Sequence, residues 1–257
     1  MEKKGLSGSN LKFIAMISML IDHIGATILY RYFMSAGLMT NDINADITSA
    51  DMIYMMFRVI GRLAFPIYIF LLIEGFMHTG SVIKYMLRLL VFAFISEPFF
   101  DMAFCIQPSR VKQGVLIEFG YQNIFFTLFL GLVIISLMDI WIRKVKNRYI
   151  GFIGCILVCG LGMVAAYALH TDYGAVGVLA IAVAYVAKTW INSDVAVIVC
   201  SAIVLSFTDI SEVFALLNIP VIRRYNHSCG KNIKLLFYAF YPVHLFVLGV
   251  ICIMFGI

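Results

Sequence analysis

What most limits the fold of this chain is a series of apolar runs, each about as long as a lipid hydrocarbon layer is thick. A spanning helix needs roughly 20 mostly apolar residues. The sequence offers such runs at 11–33, 52–77, 83–104, 121–142, 149–169, 174–190 and 235–257. They do not alternate polar and apolar residues in segments of about ten, as the strands of a membrane β-barrel would. Composition agrees, because 63% of the 257 residues are hydrophobic and only 13% are charged, against roughly 45–50% and about 25% in soluble domains. Too few polar side chains remain to cover a water-exposed surface, so a soluble enzyme is excluded. The 22 Phe and 13 Tyr exclude disorder. The expected fold is all-α, a polytopic transmembrane helix bundle forming one domain over residues 1–257.

The start of the chain is basic and polar, and the first run lacks a small-residue cleavage site. It reads as a retained first span, not a signal peptide. The net charge of +5 comes from short basic clusters between apolar runs, Arg143 to Arg148 and Arg223 to Lys234, which is how cytoplasmic loops are built. No nucleic-acid partner is therefore expected. The stretch with Asp42, Asp46 and Asp51, and the loop with Pro108, Arg110, Lys112 and Glu118, fall between spans. Residues 195–208 and 212–222 are apolar but short, so they form two short spans, one kinked span or a re-entrant pair. The basic loop that follows lies on the N-terminal side if both cross. The resulting expectation is nine spans, with eight to ten possible, in a bacterial plasma membrane with the N-terminus cytoplasmic and the last span ending outside. Pro66, Pro98 and Pro242 are expected to bend their helices. The six cysteines are scattered without a CxxC pair and read as small packing residues.

Ionisable residues inside apolar runs cost about 2.5–3.5 kcal/mol each on insertion scales, so each is a functional candidate. Asp22 and His23 lie within the first run, with Lys12 about 16 Å below His23 at about 1.5 Å per residue. Arg58 and Arg62 share a helix face in the second run. Tyr238, Tyr241 and His244 recur along the last. Glu74, Glu97 and Asp101 are secondary candidates. A histidine in a dry site is a competent general base, but the same residues also suit a structural network between helices. The arginines suit a ligand phosphate or carboxylate, or neutralise Asp22 or Glu74 inside the bundle. His244 suits packing as well as a direct role. There is no phosphate-cradling glycine loop, no HExxH and no GxSxG. No spaced metal-ligand set appears, and no metal is expected.

The run from Leu11 through Ile21-Asp22-His23-Ile24-Gly25 resembles the opening of the TraX family. So do Arg58-Val59-Ile60-Gly61-Arg62-Leu63-Ala64-Phe65-Pro66, Glu74-Gly75, Ser96-Glu97-Pro98-Phe99, Asp172-Tyr173-Gly174 and Tyr238-Ala239-Phe240-Tyr241-Pro242-Val243-His244, in the same order along almost the whole chain. One departure is Tyr225 to Gly230, where a glycine is expected straight after Asn226 and His227 stands instead. The family is associated with N-terminal acetylation of a conjugative pilin subunit. The resemblance therefore implies a membrane-embedded acyltransferase with acetyl-CoA as co-substrate and, as acceptor, a pilin-like peptide amine or a glycan hydroxyl outside the cytoplasm. The wider class of transmembrane acyltransferases often carries a basic residue, ten intervening positions and a histidine, which Lys12 and His23 match. The implied roles are His23 as base and Asp22 as its orienting charge. Lys12 and the basic loops would meet the CoA phosphates, and Arg62 or Tyr241 the oxyanion. Arg58, His244, Glu74 and Glu97 complete the candidate substrate site. The lipid bilayer, acetyl-CoA and the acceptor are the expected partners. A transporter or channel, or a non-catalytic assembly factor for surface structures, are the rival classes.

Overall fold

The computed structural model describes residues 4–40, 46–106, 114 and 117–257. The loop readings at Asp42, Pro108, Arg110 and Lys112 lie outside them. The chain forms nine helices among the described residues: α1 (Gly8–Ser35), α2 (Ser49–His78), α3 (Val82–Phe100), α4 (Ile124–Lys144), α5 (Arg148–Ala168), α6 (Gly174–Ile191), α7 (Asp194–Leu205), α8 (Ile219–Arg223) and α9 (Lys234–Phe255). Their starts follow from the sequence. Side-chain oxygens of Ser7, Ser81, Asn123, Asn147 and Ser193 accept from the first free backbone N–H groups, and Thr48 with Asp51 closes a capping box, satisfying donors that helix geometry leaves unpaired.

Six helices (α1, α2, α4, α5, α6 and α9) are long and apolar enough to cross a membrane. The helix α3 has 19 residues but carries Lys84, Arg88 and Glu97. The expected nine exceeds these six by α3 and by residues 195–208 and 212–222, which form no helices of spanning length. Helix α7 has 12 residues, about 18 Å at ~1.5 Å per residue, short of the roughly 30 Å hydrocarbon layer. Beyond it the chain turns back at Asp209 through a 3-10 stretch, Ile210–Asn218, into α8. Both ends of this hairpin lie together, since His227 Nε2 is 3.4 Å from Asp194 Oδ2. The basic loop after it sits on the N-terminal side, where Leu6 N donates to the Arg224 carbonyl at 2.7 Å. Two crossings or none give the same parity, so charge distribution alone could not separate them.

The core centres on α2. Ile67, Ile69, Phe70 and Ile73 are fully buried, with Leu11 from α1, Leu132 and Ile135 from α4, and Ile181 from α6. Helix α5 presents the opposite character, with Phe152, Ile156, Leu157, Leu161 and Val164 each more than half exposed, as a lipid-facing edge requires. The six cysteines are free thiols, three of them buried.

Helix α2 is broken once, between Gly61 and Ala64. Pro66 lacks the N–H that would bond the carbonyl four residues earlier, at Arg62. The adjacent carbonyl of Leu63 accepts instead from Asn218 Nδ2, 2.9 Å away in the hairpin. The break thus joins α2 to the hairpin tip and points Arg58 and Arg62 into the bundle.

Candidate functional site

A cavity of about 550 Å³ lies between α1, the break in α2, α9 and the connections around Tyr121, Asp172 and Asp209. These connections belong to the end opposite the N-terminus. His23 lines it. Its Nδ1 is 2.7 Å from His244 Nε2 on α9, and His244 Nδ1 is 2.7 Å from the Phe240 carbonyl. A carbonyl only accepts, so His244 Nδ1 carries a proton. In the neutral pair its Nε2 then accepts, and His23 Nδ1 donates to it. That leaves His23 Nε2 unprotonated, with no hydrogen-bond partner among the described residues. The tautomer of His23 is set by a carbonyl and a second histidine, a partner that fixes the ring as a carboxylate does elsewhere. Phe104 packs edge-on to His23 at 5.1 Å between ring centroids, and Tyr241 at 6.1 Å. A π-helical turn, Gly25–Leu29, begins two residues after His23, an irregularity frequent at functional sites.

Asp22 does not hold His23. Its Oδ2 accepts from Arg58 Nη1 at 2.8 Å. Arg62 spends its guanidinium on the hairpin: Nη2 to Asp209 Oδ2 at 2.6 Å, Nη1 to Glu212 Oε1 at 3.0 Å and Nε to Ser211 Oγ at 3.0 Å. Of the two readings for the arginines, the geometry is that of neutralisation within the bundle, by Asp22, Asp209 and Glu212 rather than by Glu74. Two carboxylate oxygens on the cavity wall, Asp22 Oδ1 and Glu212 Oε2, are buried without a hydrogen-bond partner among the described residues. A buried acceptor left unpaired costs about 1–3 kcal/mol, so both invite a donor in the cavity.

Tyr173 connects these groups. It sits in the left-handed region at φ 58°, unfavourable for a bulky residue. It is held there by stacking on Phe65 at 4.2 Å and by its hydroxyl, which donates to Glu212 Oε1 at 3.2 Å. Asp172 Oδ1 accepts from the Tyr121 hydroxyl at 2.9 Å and from Tyr173 N at 3.0 Å. Burial pushes the Asp172 carboxyl up to about 6, against these two donors, which favour its charged form. Burial also opposes charge on Asp209, but the Ser211 contacts and Arg62 outweigh it and hold that carboxyl below its usual value.

The structure therefore brings Asp22, His23, Arg58, Arg62 and Tyr241 to one cavity, with His244 directly behind His23. It places Lys12 elsewhere, with Nζ 5.3 Å above the Phe237 ring centroid. Glu97 accepts from Asn123 N at 3.3 Å. Glu74 accepts from Lys188 Nζ at 2.7 Å, near the N-terminal end of the bundle. Asp172, Tyr173, Asp209 and Glu212 were not among the candidates. The available signal for the last two was a pair of carboxyl groups at the tip of an apolar segment too short to cross, facing a bundle that held two unmatched arginines.

Close approach of α1 and α2 depends on Gly61, since a Cβ there would overlap the Asp22 carboxyl. Gly61→Ala is expected to displace Asp22 from Arg58, with overpacking costing ~1–3 kcal/mol of stability. An unchanged melting temperature in detergent for this variant would show that α1 and α2 do not depend on this close approach.

A family profile described as "TraX protein" matches residues 7–252. A "Probable fimbrial assembly protein FimC, serogroup H1" from Dichelobacter nodosus is 33% identical over 128 residues, covering 49% of this chain and 44% of that protein. The chain thus aligns with less than half the length of that curated relative. No solved structure matches the chain.

Proposed function

Because this chain belongs to the TraX family, we propose that it is a membrane-embedded acetyltransferase. In this reading it moves an acetyl group from acetyl-CoA on the cytoplasmic side to an amine or hydroxyl on an extracytoplasmic acceptor. The observation that carries the proposal is the His23–His244 pair, which presents an unprotonated imidazole nitrogen to the cavity between α1, α2 and α9. The name of the relative, a fimbrial assembly protein, supports a surface-polymer subunit as the acceptor.

The chemistry follows from that nitrogen. His23 Nε2 takes a proton from the acceptor N–H or O–H as the acceptor atom bonds to the thioester carbonyl carbon. The carbonyl oxygen becomes an oxyanion, and in this reading Tyr241, which lines the cavity, donates to it. Arg62 is occupied by three acceptors and is the weaker choice. As the tetrahedral adduct collapses, the C–S bond breaks and the CoA sulfur leaves with the proton from the His23 imidazolium. The acetylated acceptor and free CoA result, and His23 returns to its neutral tautomer. Positive charge that develops on His23 is spread to His244 through the shared hydrogen bond. Asp22, paired with Arg58, offsets part of the guanidinium charge that opposes it.

Purified protein incubated with labelled acetyl-CoA and a peptide bearing a free N-terminus, or a cell-envelope glycan, is expected to release CoA and to label one acceptor. No CoA release with any envelope fraction would remove the enzymatic reading and favour a non-catalytic assembly role.

A further inference from the structure

Acetyl transfer to an amine that arrives protonated removes two protons from nitrogen, and His23 takes only one. An α-amine titrates at about 7.7–8.0, so at neutral pH it reaches the cavity mostly as an ammonium and must lose a first proton before its nitrogen attacks. The cavity wall carries four carboxyl groups, Asp22, Asp172, Asp209 and Glu212, against two guanidiniums, Arg58 and Arg62, so it draws a cation. We propose that Tyr173 and Glu212 form a relay that takes this first proton. The inference rests on the acetyltransferase reading and adds a second proton acceptor, on the side of the cavity away from the N-terminus, for an acceptor that arrives as an ammonium.

Three observations carry it. First, Tyr173 lines the cavity, half-buried, and its hydroxyl donates to Glu212 Oε1 at 3.2 Å. A phenol oxygen accepts as well as donates, so it can take an N–H from a ligand while its own hydrogen points at the carboxylate. Second, Glu212 is fully buried, and its Oε2 has no hydrogen-bond partner among the described residues. Burial pushes this carboxyl up to about 7, against Arg62 and the Tyr173 hydroxyl, which favour its charged form. A group poised there takes up and returns a proton near neutral pH. Third, Tyr173 is held at φ 58°, where a turn that only reversed the chain would carry glycine or asparagine. Strain of this kind is kept where a side chain must be aimed, and here it aims a phenol at Glu212. In the step itself an N–H bond of the ammonium breaks and its proton passes to Tyr173 Oη, while the tyrosine's own proton passes to Glu212 Oε1. The two shifts are concerted, because burial holds the Tyr173 hydroxyl well above its usual value and tyrosinate does not form. The carboxylate becomes a carboxylic acid, and the amine is left neutral with its lone pair free for the thioester carbonyl. Arg62 holds the carboxylate in place but does not carry the proton, since a guanidinium is not deprotonated in proteins. Once the product leaves, the proton returns through Tyr173 to water entering the cavity.

The test is the pH profile of kcat/KM for purified full-length protein with acetyl-CoA and a peptide bearing a free N-terminal α-amine. In the wild type the ammonium reacts with the Glu212 carboxylate, so the acid limb is expected near 7. Glu212→Gln cannot take the proton, and Tyr173→Phe keeps the ring on Phe65 but removes the hydroxyl. In both variants only the free amine reacts, so the acid limb is expected to move up to the amine's own value, about 8. Their activity at pH 7 is then expected to lie roughly tenfold below their own plateau, against about twofold in the wild type. Tyr173→Phe leaves the Glu212–Arg62 ion pair intact, so it remains informative if Glu212→Gln fails to fold. A purely structural role lowers the rate at every pH and leaves the limb in place. That result in Tyr173→Phe overturns the relay while the acetyltransferase reading stands. Transfer by the wild type to a peptide whose terminal amine is replaced by a hydroxyl, with none to the amine, also overturns the relay alone. If the wild type releases no CoA with any acceptor, the acetyltransferase reading falls and the relay with it.

Discussion

Replacing His23 with alanine is expected to lower acetyl transfer by about 10²–10⁴-fold, the usual contribution of a positioned general base, with normal membrane insertion. The alanine variant also leaves His244 Nε2 without its donor, which costs about 1–3 kcal/mol if no water enters. His23→Gln separates the two effects. Its amide N–H can still donate to His244, so the helix pair is kept, but the amide has no basic nitrogen to take a proton. Both variants are therefore expected to be inactive, and only the alanine variant destabilised. His244→Gln makes the complementary change. A side-chain carbonyl there still accepts from His23 Nδ1 and holds the reactive tautomer, so turnover is expected to fall less than in either His23 variant. It is expected to fall further in His244→Leu, which offers no acceptor. Transfer within tenfold of wild type in both His23 variants would end the base assignment, whatever the fate of the cavity.

The parts of this arrangement that the sequence displays are those that cost free energy to keep in an apolar run. Asp22, His23, Arg58 and Arg62 stand out because each interrupts hydrophobic sequence, and all four line one cavity. Asp172, Asp209 and Glu212 lie at the ends of apolar runs, where charge is cheap and carries no signal. The importance of Asp209 and Glu212 comes from the turn at Asp209, which brings them to Arg62, and that turn is a consequence of α7 being too short to cross. Glu74 and Glu97 look in sequence like Asp22, yet one is matched by Lys188 and the other by Asn123. Long-range pairing decides which carboxyl serves stability and which faces a cavity. The His23–His244 contact joins residues 221 positions apart, and only the packing of α9 against α1 reveals that His244 sets the tautomer of His23 in place of Asp22.

The largest stability effect is expected from Lys188. Its ammonium sits between Glu74 Oε1, 2.7 Å away, and Asp194 Oδ1, with which it forms a still closer ion pair. The side chains of Lys188, Glu74 and Asp194 are only 8%, 10% and 17% exposed. The three groups tie α2, α6 and α7 together at the N-terminal end, and Lys188 also lies over the Phe70 ring at 5.6 Å. Lys188→Met keeps the length and apolar stem of the side chain but removes the cation, leaving two carboxylates facing each other out of water. Breaking a buried pair in this way costs about 3–5 kcal/mol, and the partial exposure of Asp194 favours the lower part of that range. Thermal unfolding in detergent is expected to shift down by roughly 10 °C. The triple change Lys188→Met, Glu74→Gln, Asp194→Asn removes the charges together and is expected to recover most of that loss, because the penalty belongs to unpaired charge and not to a missing attraction. The cluster lies away from His23 and the cavity, so turnover per folded molecule is expected to be unchanged in both variants. A Lys188→Met protein that melts with the wild type would mean that water reaches Glu74 and Asp194 and that the three helices are held by their apolar faces alone.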